Sequence, residues 1–154
     1  MIRSAVEGDL LNLAQLETLS FPDPWSQTGL SELLFQPASL SLVAEDPGTE
    51  LRITGYLLIR LVGSDAELLR IAVHPDRRLE GIGRSLLEAA VKALEYRGVE
   101  RCFLEVRADN QAAIALYGRF PARQVSRRAS YYRDGTEALI LSLEIARSNG
   151  SGPS

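Results

Sequence analysis

Leu68-Leu69-Arg70-Ile71-Ala72-Val73 is followed by His74-Pro75-Asp76-Arg77-Arg78-Leu79-Glu80-Gly81-Ile82-Gly83-Arg84, then by Ser85-Leu86-Leu87-Glu88-Ala89-Ala90-Val91-Lys92-Ala93-Leu94-Glu95. The three parts read as a strand, a basic glycine-bearing loop and an amphipathic helix. Ile71 and Val73 have the β-branched character of a buried strand, and Pro75 ends it. Ile82, Leu86, Leu87, Ala90, Val91 and Leu94 fall at helical spacing on one apolar stripe. Gly81 and Gly83 let bare backbone amides approach a ligand at the positive end of that helix, where an anion such as a pyrophosphate fits. Arg77, Arg78 and Arg84 strengthen the preference. By spacing alone, a phosphate cradle and a plain strand-to-helix turn are equal readings. The loop has no Gly-Lys-Ser/Thr of a Walker A motif and no third glycine of a dinucleotide fingerprint.

Working outward towards the N-terminus, residues 67–73, 53–61 and 40–45 read as an antiparallel meander, turning at Gly63-Ser64-Asp65 and at Asp46-Pro47-Gly48-Thr49. Before it, residues 2–6 form a short strand. Asp9 is the expected N-cap of a helix containing Leu10, Leu13, Leu16, Glu17 and Leu19. Pro22 and Pro24 interrupt regular structure, and Ser26 caps a second helix through Leu34 with Leu30, Leu33 and Leu34 inward. Phe21 reads as a hydrophobic staple, while Trp25, in a loop between helices, is equally a packing or a binding residue.

Towards the C-terminus, Gly98 ends the central helix, and residues 101–107 return as a strand parallel to its predecessor. Asp109 or Asn110 caps a fourth helix that stops before Pro121, and residues 125–132 and 138–145 close a hairpin across Arg133-Asp134-Gly135-Thr136. The fold class is α+β: a central mixed, mostly antiparallel sheet of about seven strands, flanked by about four helices. Residues 1–146 are expected to form one domain, with residues 147–154 a disordered Gly/Ser/Pro-rich tail.

The chain of 154 residues has net charge −3, which argues against non-specific nucleic-acid binding. No apolar run is long enough for a bilayer and no signal peptide opens the chain. The single Cys102 excludes an internal disulfide, fits a reducing cytoplasm, and shares a strand face with Leu104 and Val106, where it fills core. No His, Cys, Asp and Glu cluster has metal-ligand spacing, and His74 is given no catalytic task. On the opposite strand face stand Phe103, Glu105 and Arg107. Glu105 is either an ion-pair partner of Arg107 or Arg70, or a general base. Tyr117, on a helix of alanines and leucines, is a packing residue or a proton donor.

Arg78-x-x-Gly81-x-Gly83 after Ile71-Ala72-Val73-His74-Pro75 resembles the acyl-coenzyme A loop of the GNAT N-acetyltransferase superfamily. Leu104-Glu105-Val106-Arg107-Ala108-Asp109-Asn110, Ala112-Ala113-Ile114-Ala115-Leu116-Tyr117, Phe21-Pro22, Pro24-Trp25-Ser26 and Tyr131-Tyr132 resemble its RimI branch, so the likeness spans all but the tail. That branch acetylates the N-terminal alanine of a small-subunit ribosomal protein. The resemblance implies a GNAT-like fold with acetyl-CoA as cosubstrate and no metal. Glu105 would be proton acceptor, through a water relay, and Tyr117 proton donor to the departing thiolate. Asn110 and the backbone of Ile71, Ala72 and Val73 would hold pantetheine, while Arg78, Leu79, Glu80, Gly81, Ile82, Gly83 and Arg84 would wrap the pyrophosphate. Trp25, Arg70, Tyr131 and Tyr132 would line the acceptor. The partner would be a protein or peptide N-terminus, a ribosomal protein first, for a cytoplasmic monomer or weak dimer that engages neither nucleic acid nor membrane.

An α-amine of pKa ~8 is roughly a tenth neutral at pH 7, against about one in two thousand for lysine, which favours N-terminal over lysine acetylation. A lysine or small-amine acetyltransferase and a non-catalytic acyl-CoA-binding module are the alternatives. The chain departs from the family pattern at Leu79, at Glu80, whose side chain is expected to face solvent, and at Pro121-Ala122. It departs also at Arg70, near the expected peptide groove, which puts alanine specificity in question.

Overall fold

The computed structural model describes residues 1–48 and 52–145; the expected tail of residues 147–154 and Thr49 of the predicted turn lie outside them. The strands are β1 (Ile2–Ser4), β2 (Ser39–Glu45), β3 (Ile53–Val62), β4 (Asp65–Val73), β5 (Arg101–Arg107), β6 (Ala122–Arg128) and β7 (Ala138–Glu144). The helices are α1 (Leu10–Ser20), α2 (Gln27–Leu34), α3 (Ile82–Tyr96) and α4 (Gln111–Tyr117). The strands form one seven-stranded mixed sheet in the order β1-β2-β3-β4-β5-β7-β6. Only β4 and β5 pair in parallel among the ladders described, through Asp65, Ala66 and Glu67 against Arg101, Cys102 and Phe103. A helical crossover between two consecutive strands allows that pairing and forbids a hairpin. The expected α+β architecture is what the chain adopts. No helix among the described residues is long and apolar enough to cross a membrane.

The described residues divide into two compact units, one within Met1–Leu61 and Leu69–Ala90, the other of Val62–Leu68 with residues 91–145. In the first, β3 is buried on both faces from Ile53 to Ile59. Tyr56 and Leu58 point to one face, where Leu13 and Leu16 of α1 and Leu30 and Leu34 of α2 join them in a single apolar cluster. Gly55 occupies the other face, and α3 packs there so closely that a Cβ would stand 2.9 Å from the Ala72 carbonyl and 3.2 Å from Leu86 Cδ1. Glycine is required by that approach.

Several local expectations shift. Asp9 does not cap α1 with its side chain. Its carboxylate accepts from the Val6 amide at 2.8 Å and from Arg3 at 2.8 and 2.9 Å, because a guanidinium offers charge as well as donors. Of the residues read into the body of α1, Leu13, Leu16 and Glu17 are buried, whereas Leu19 is 56% exposed. Ser26 does cap α2, accepting from the Gly29 amide at 3.0 Å. Gly98 ends α3 at φ 75°, as the turn required.

In the second unit, β5 alternates as read: Cys102, Leu104 and Val106 are buried, and Glu105 is exposed. Burial pushes the Cys102 thiol up to about 12, so it stays a protonated core filler. The closing hairpin differs from expectation. β6 starts at Ala122 and stops at Arg128, leaving Tyr131 and Tyr132 in the connection instead of the strand. Ser130 at φ 52° turns the chain out of the ladder, and the Gly135 amide closes a turn onto the Tyr132 carbonyl at 2.9 Å.

Candidate active site

Residues 74–81 join β4 to α3 in the first unit. Leu79 and Gly81 adopt left-handed φ of 67° and 83°, which reverses the chain just before the helix. The first internal bond of α3 runs from the Ser85 amide to the Gly81 carbonyl at 3.0 Å. The amides of Ile82, Gly83 and Arg84 therefore lack intrahelical acceptors. A Cβ at Gly81 would meet nothing within 4 Å, so the loop faces open space. Such a row of amides at a helix start suits a pyrophosphate. Arg78 is exposed and its Nε reaches the Val73 carbonyl at 3.3 Å.

Not every expected cation serves the loop. Arg77 donates to Asp46 at 3.1 Å and to both oxygens of Glu80 at 2.9 and 3.1 Å. Glu80 is exposed, as expected, and Arg77 pairs with it, which offsets its negative charge beside the amides. Arg84 leans along the helix to Glu88 at 2.9 Å. His74 accepts the Asp76 amide at Nδ1, a capping role.

Also in the first unit, Arg70 is not an ion-pair partner of Glu105. It binds Glu17 at 3.2 Å and stacks on Phe21 at 3.9 Å and Trp25 at 4.1 Å. Phe21, read as a staple, is therefore also one wall of a cation–π contact.

The second unit gathers Glu105, Tyr131 and Tyr132. The Tyr132 hydroxyl donates to Glu105 Oε1 at 3.1 Å, and the two tyrosine rings meet edge-on with centroids 5.2 Å apart. The hydrogen bond to Glu105 and its charge raise Tyr131, whereas burial first and then Glu105 push Tyr132 up to about 12. Arg107, the other partner considered for Glu105, is taken elsewhere. It binds Asp109 at 3.1 Å, Asp134 at 2.6 Å and Thr136 at 3.0 Å, and lies 4.7 Å from the Tyr132 ring centroid. The Arg107 guanidinium holds the Asp134 carboxyl below the usual carboxylate range. Arg107 thus ties the connection bearing Tyr132 to the strand bearing Glu105. Sequence reading missed this hub, whose only sign was an arginine two residues beyond Glu105 on the same strand face.

Tyr117 lies at the last position of α4, 4% exposed, and burial pushes its phenol up to about 12. Asn110 caps α4, accepting the Ala113 amide at 3.1 Å through Oδ1, which leaves its amide NH2 for other contacts.

Residues 10–120 match the Acetyltransferase (GNAT) family. The chain belongs to that family. It is 36% identical over 142 residues to the ribosomal protein bS18-alanine N-acetyltransferase of Salmonella typhimurium, covering 90% of this chain and 93% of that one. It is 42% identical over 98 residues to the Escherichia coli K12 protein of the same name, 62% of this chain and 66% of that one. Among solved structures, the ribosomal-protein-S18-alanine N-acetyltransferase from Escherichia coli matches with a TM-score of 0.87 at 32% identity, over 100% of this chain and 99% of that one. This GNAT member is accordingly an N-acetyltransferase, and the acetyl donor of the family is acetyl-CoA.

Proposed function

We propose that this enzyme acetylates the N-terminal α-amine of a protein, with the N-terminal alanine of ribosomal protein bS18 as its first acceptor. Identity of 36% across 142 residues to an enzyme named for that acceptor supports the reading. The observation that carries the chemistry is that the second unit holds two unlike groups: an exposed carboxylate bound by the Tyr132 hydroxyl, and a buried phenol that keeps its proton at neutral pH.

Acetyl-CoA supplies the activated thioester. The amides of 81–84 take the pyrophosphate, with Arg78 beside them, and the backbone of Ile71, Ala72 and Val73 receives pantetheine as an added strand. The β4 ladder to β5 stops at Glu67, which leaves the later β4 residues outside that ladder. The Asn110 NH2 adds a contact to the same arm. Glu105 accepts the ammonium proton through water, giving a neutral amine that forms the new C–N bond. An amide near Ile71 or Val73 donates to the oxygen as negative charge develops there. As the C–S bond breaks, Tyr117 gives its proton to the sulfur, and the second proton shed by the new amide nitrogen restores the phenol. Burial keeps that phenol protonated at neutral pH, so the proton is in place, and it leaves a weaker acid than a free tyrosine, so its transfer belongs with the full development of charge on sulfur. Tyr131 and Tyr132 line the acceptor side.

A panel of peptides led by an N-terminal alanine sequence, with mass spectrometry locating the acetyl group, tests the reading. Acetylation of the alanine α-amine is expected. Label found only on ε-amines, or only on small amines, replaces it with the corresponding acceptor class. Coenzyme A binding with no turnover of any amine replaces it with a regulatory module.

A further inference from the structure

Glu17 has no exposed surface, and acetyl transfer has no use for it. A carboxylate stripped of water costs several kcal/mol unless donors replace its hydration. Three donors from three places do so: the Tyr56 hydroxyl on β3, the Trp25 amide at 2.7 Å, and Arg70 on β4 at 3.2 Å. Arg70 in turn lies against the rings of Phe21 and Trp25 and donates to the Asp23 carbonyl at 3.4 Å. Loop 21–26 carries two prolines and forms neither strand nor helix, so its shape is imposed by what grips it. The grip consists of two rings, one amide and one carbonyl, all answering to Glu17 or Arg70. Arg70 immediately precedes Ile71 on β4, so the gripped loop stands beside the strand assigned to the thioester.

We propose that Glu17 and Arg70 are positioning residues that lock loop 21–26 into the acceptor-side wall, with Trp25 as its contact face. This rests on the acetyltransferase reading above. Arg70 is consumed by the lock: its charge is answered by Glu17 and spread over two rings, so no free cation confronts an incoming ammonium. The departure from the family pattern at Arg70 therefore belongs to the wall's construction and does not by itself oppose a small uncharged first residue on the acceptor.

Trp25 is the single tryptophan, so tryptophan emission, excited at wavelengths the tyrosines do not absorb, reports on this loop alone. Glu17→Gln keeps the shape and removes the charge. Its Trp25 emission is expected to move to longer wavelength with stronger acrylamide quenching. The acceptor-peptide KM should rise about tenfold or more, the size of one charged hydrogen bond, while acetyl-CoA KM and far-ultraviolet circular dichroism hold. Tyr56→Phe removes one donor while leaving Arg70 on Glu17, and should show the same changes more weakly; it carries the test should Glu17→Gln fail to fold. Wild-type emission and acceptor KM in the folded variants overturn the proposal, as does an equal rise in both KM values. If the wild-type enzyme acetylates no peptide, the acceptor assignment fails; unchanged Trp25 emission in the variants would separately refute the lock.

Discussion

Tyr117 and Glu105 sit in opposite settings, one buried and one exposed. Their variants should therefore fail differently. Tyr117→Phe keeps the packing and deletes only the proton, so kcat should fall roughly 10²-fold with acetyl-CoA KM near wild type. Because the phenol is held up to about 12, it stays protonated across the neutral range, and no alkaline limb below about pH 11 should belong to it. The wild-type rate should instead rise with pH as the acceptor α-amine loses its proton near ~8, and Tyr117→Phe should keep that limb while lowering its height. Stopped-time assays from pH 6 to 10 check both. Glu105→Gln should bind acetyl-CoA normally and transfer slowly; an unchanged rate would clear it of the base role.

At the scale of elements, two glycines make opposite demands. Gly81 needs backbone freedom but has space around it, so Gly81→Ala should cost only about 1 kcal/mol of stability while raising acetyl-CoA KM. Gly55 needs space but not unusual φ. Its alanine variant would push β3 from the Ala72 carbonyl and from α3, costing about 1–3 kcal/mol and lowering Tm by about 2–4 °C for each kcal/mol. Calorimetry beside donor kinetics distinguishes the two. The connection between β6 and β7 depends on Arg107. Arg107→Ala should release Asp134 and Tyr132 together, raising acceptor KM more than donor KM, and Asp134→Asn should reproduce part of that effect without adding fully to it.

For the molecule as a whole, acid tolerance should follow carboxylates tied to arginines. The hydrogen bond from Arg3 lowers Asp9, outweighing the burial that opposes it, and Arg3 likewise lowers Glu45. A carboxylate lowered on folding contributes its stability fully above its unfolded value, near ~3.9 for aspartate, and loses it as pH falls further. Chemical denaturation should thus give a plateau from neutrality to about pH 5 and a decline below about pH 4. Arg3→Met should shift the acid midpoint towards neutrality, because Asp9 would remain buried without its guanidinium.

Periodicity and turn chemistry were sufficient for the number and order of strands and helices, the parallel crossover, the Ser26 cap and the glycine turn, since each depends on neighbours within a few residues; the choice of Asn110 over Asp109 as cap and the bounds of β6 were not. Resemblance of short motifs carried the reading on to the family. Pairing choices were not legible. Sequence offered Arg70 or Arg107 to Glu105, yet Arg70 belongs to Glu17 and Arg107 to Asp109 and Asp134, with a tyrosine hydroxyl on Glu105 instead. Glu17 stood in the helix body, and only folding brought Tyr56, from 39 positions away, to its carboxylate. Local backbone preference is encoded over a turn or a strand, whereas a buried charge takes whichever donor the packed chain delivers. That delivery depends on contacts between residues far apart in sequence, and only the assembled fold decides it.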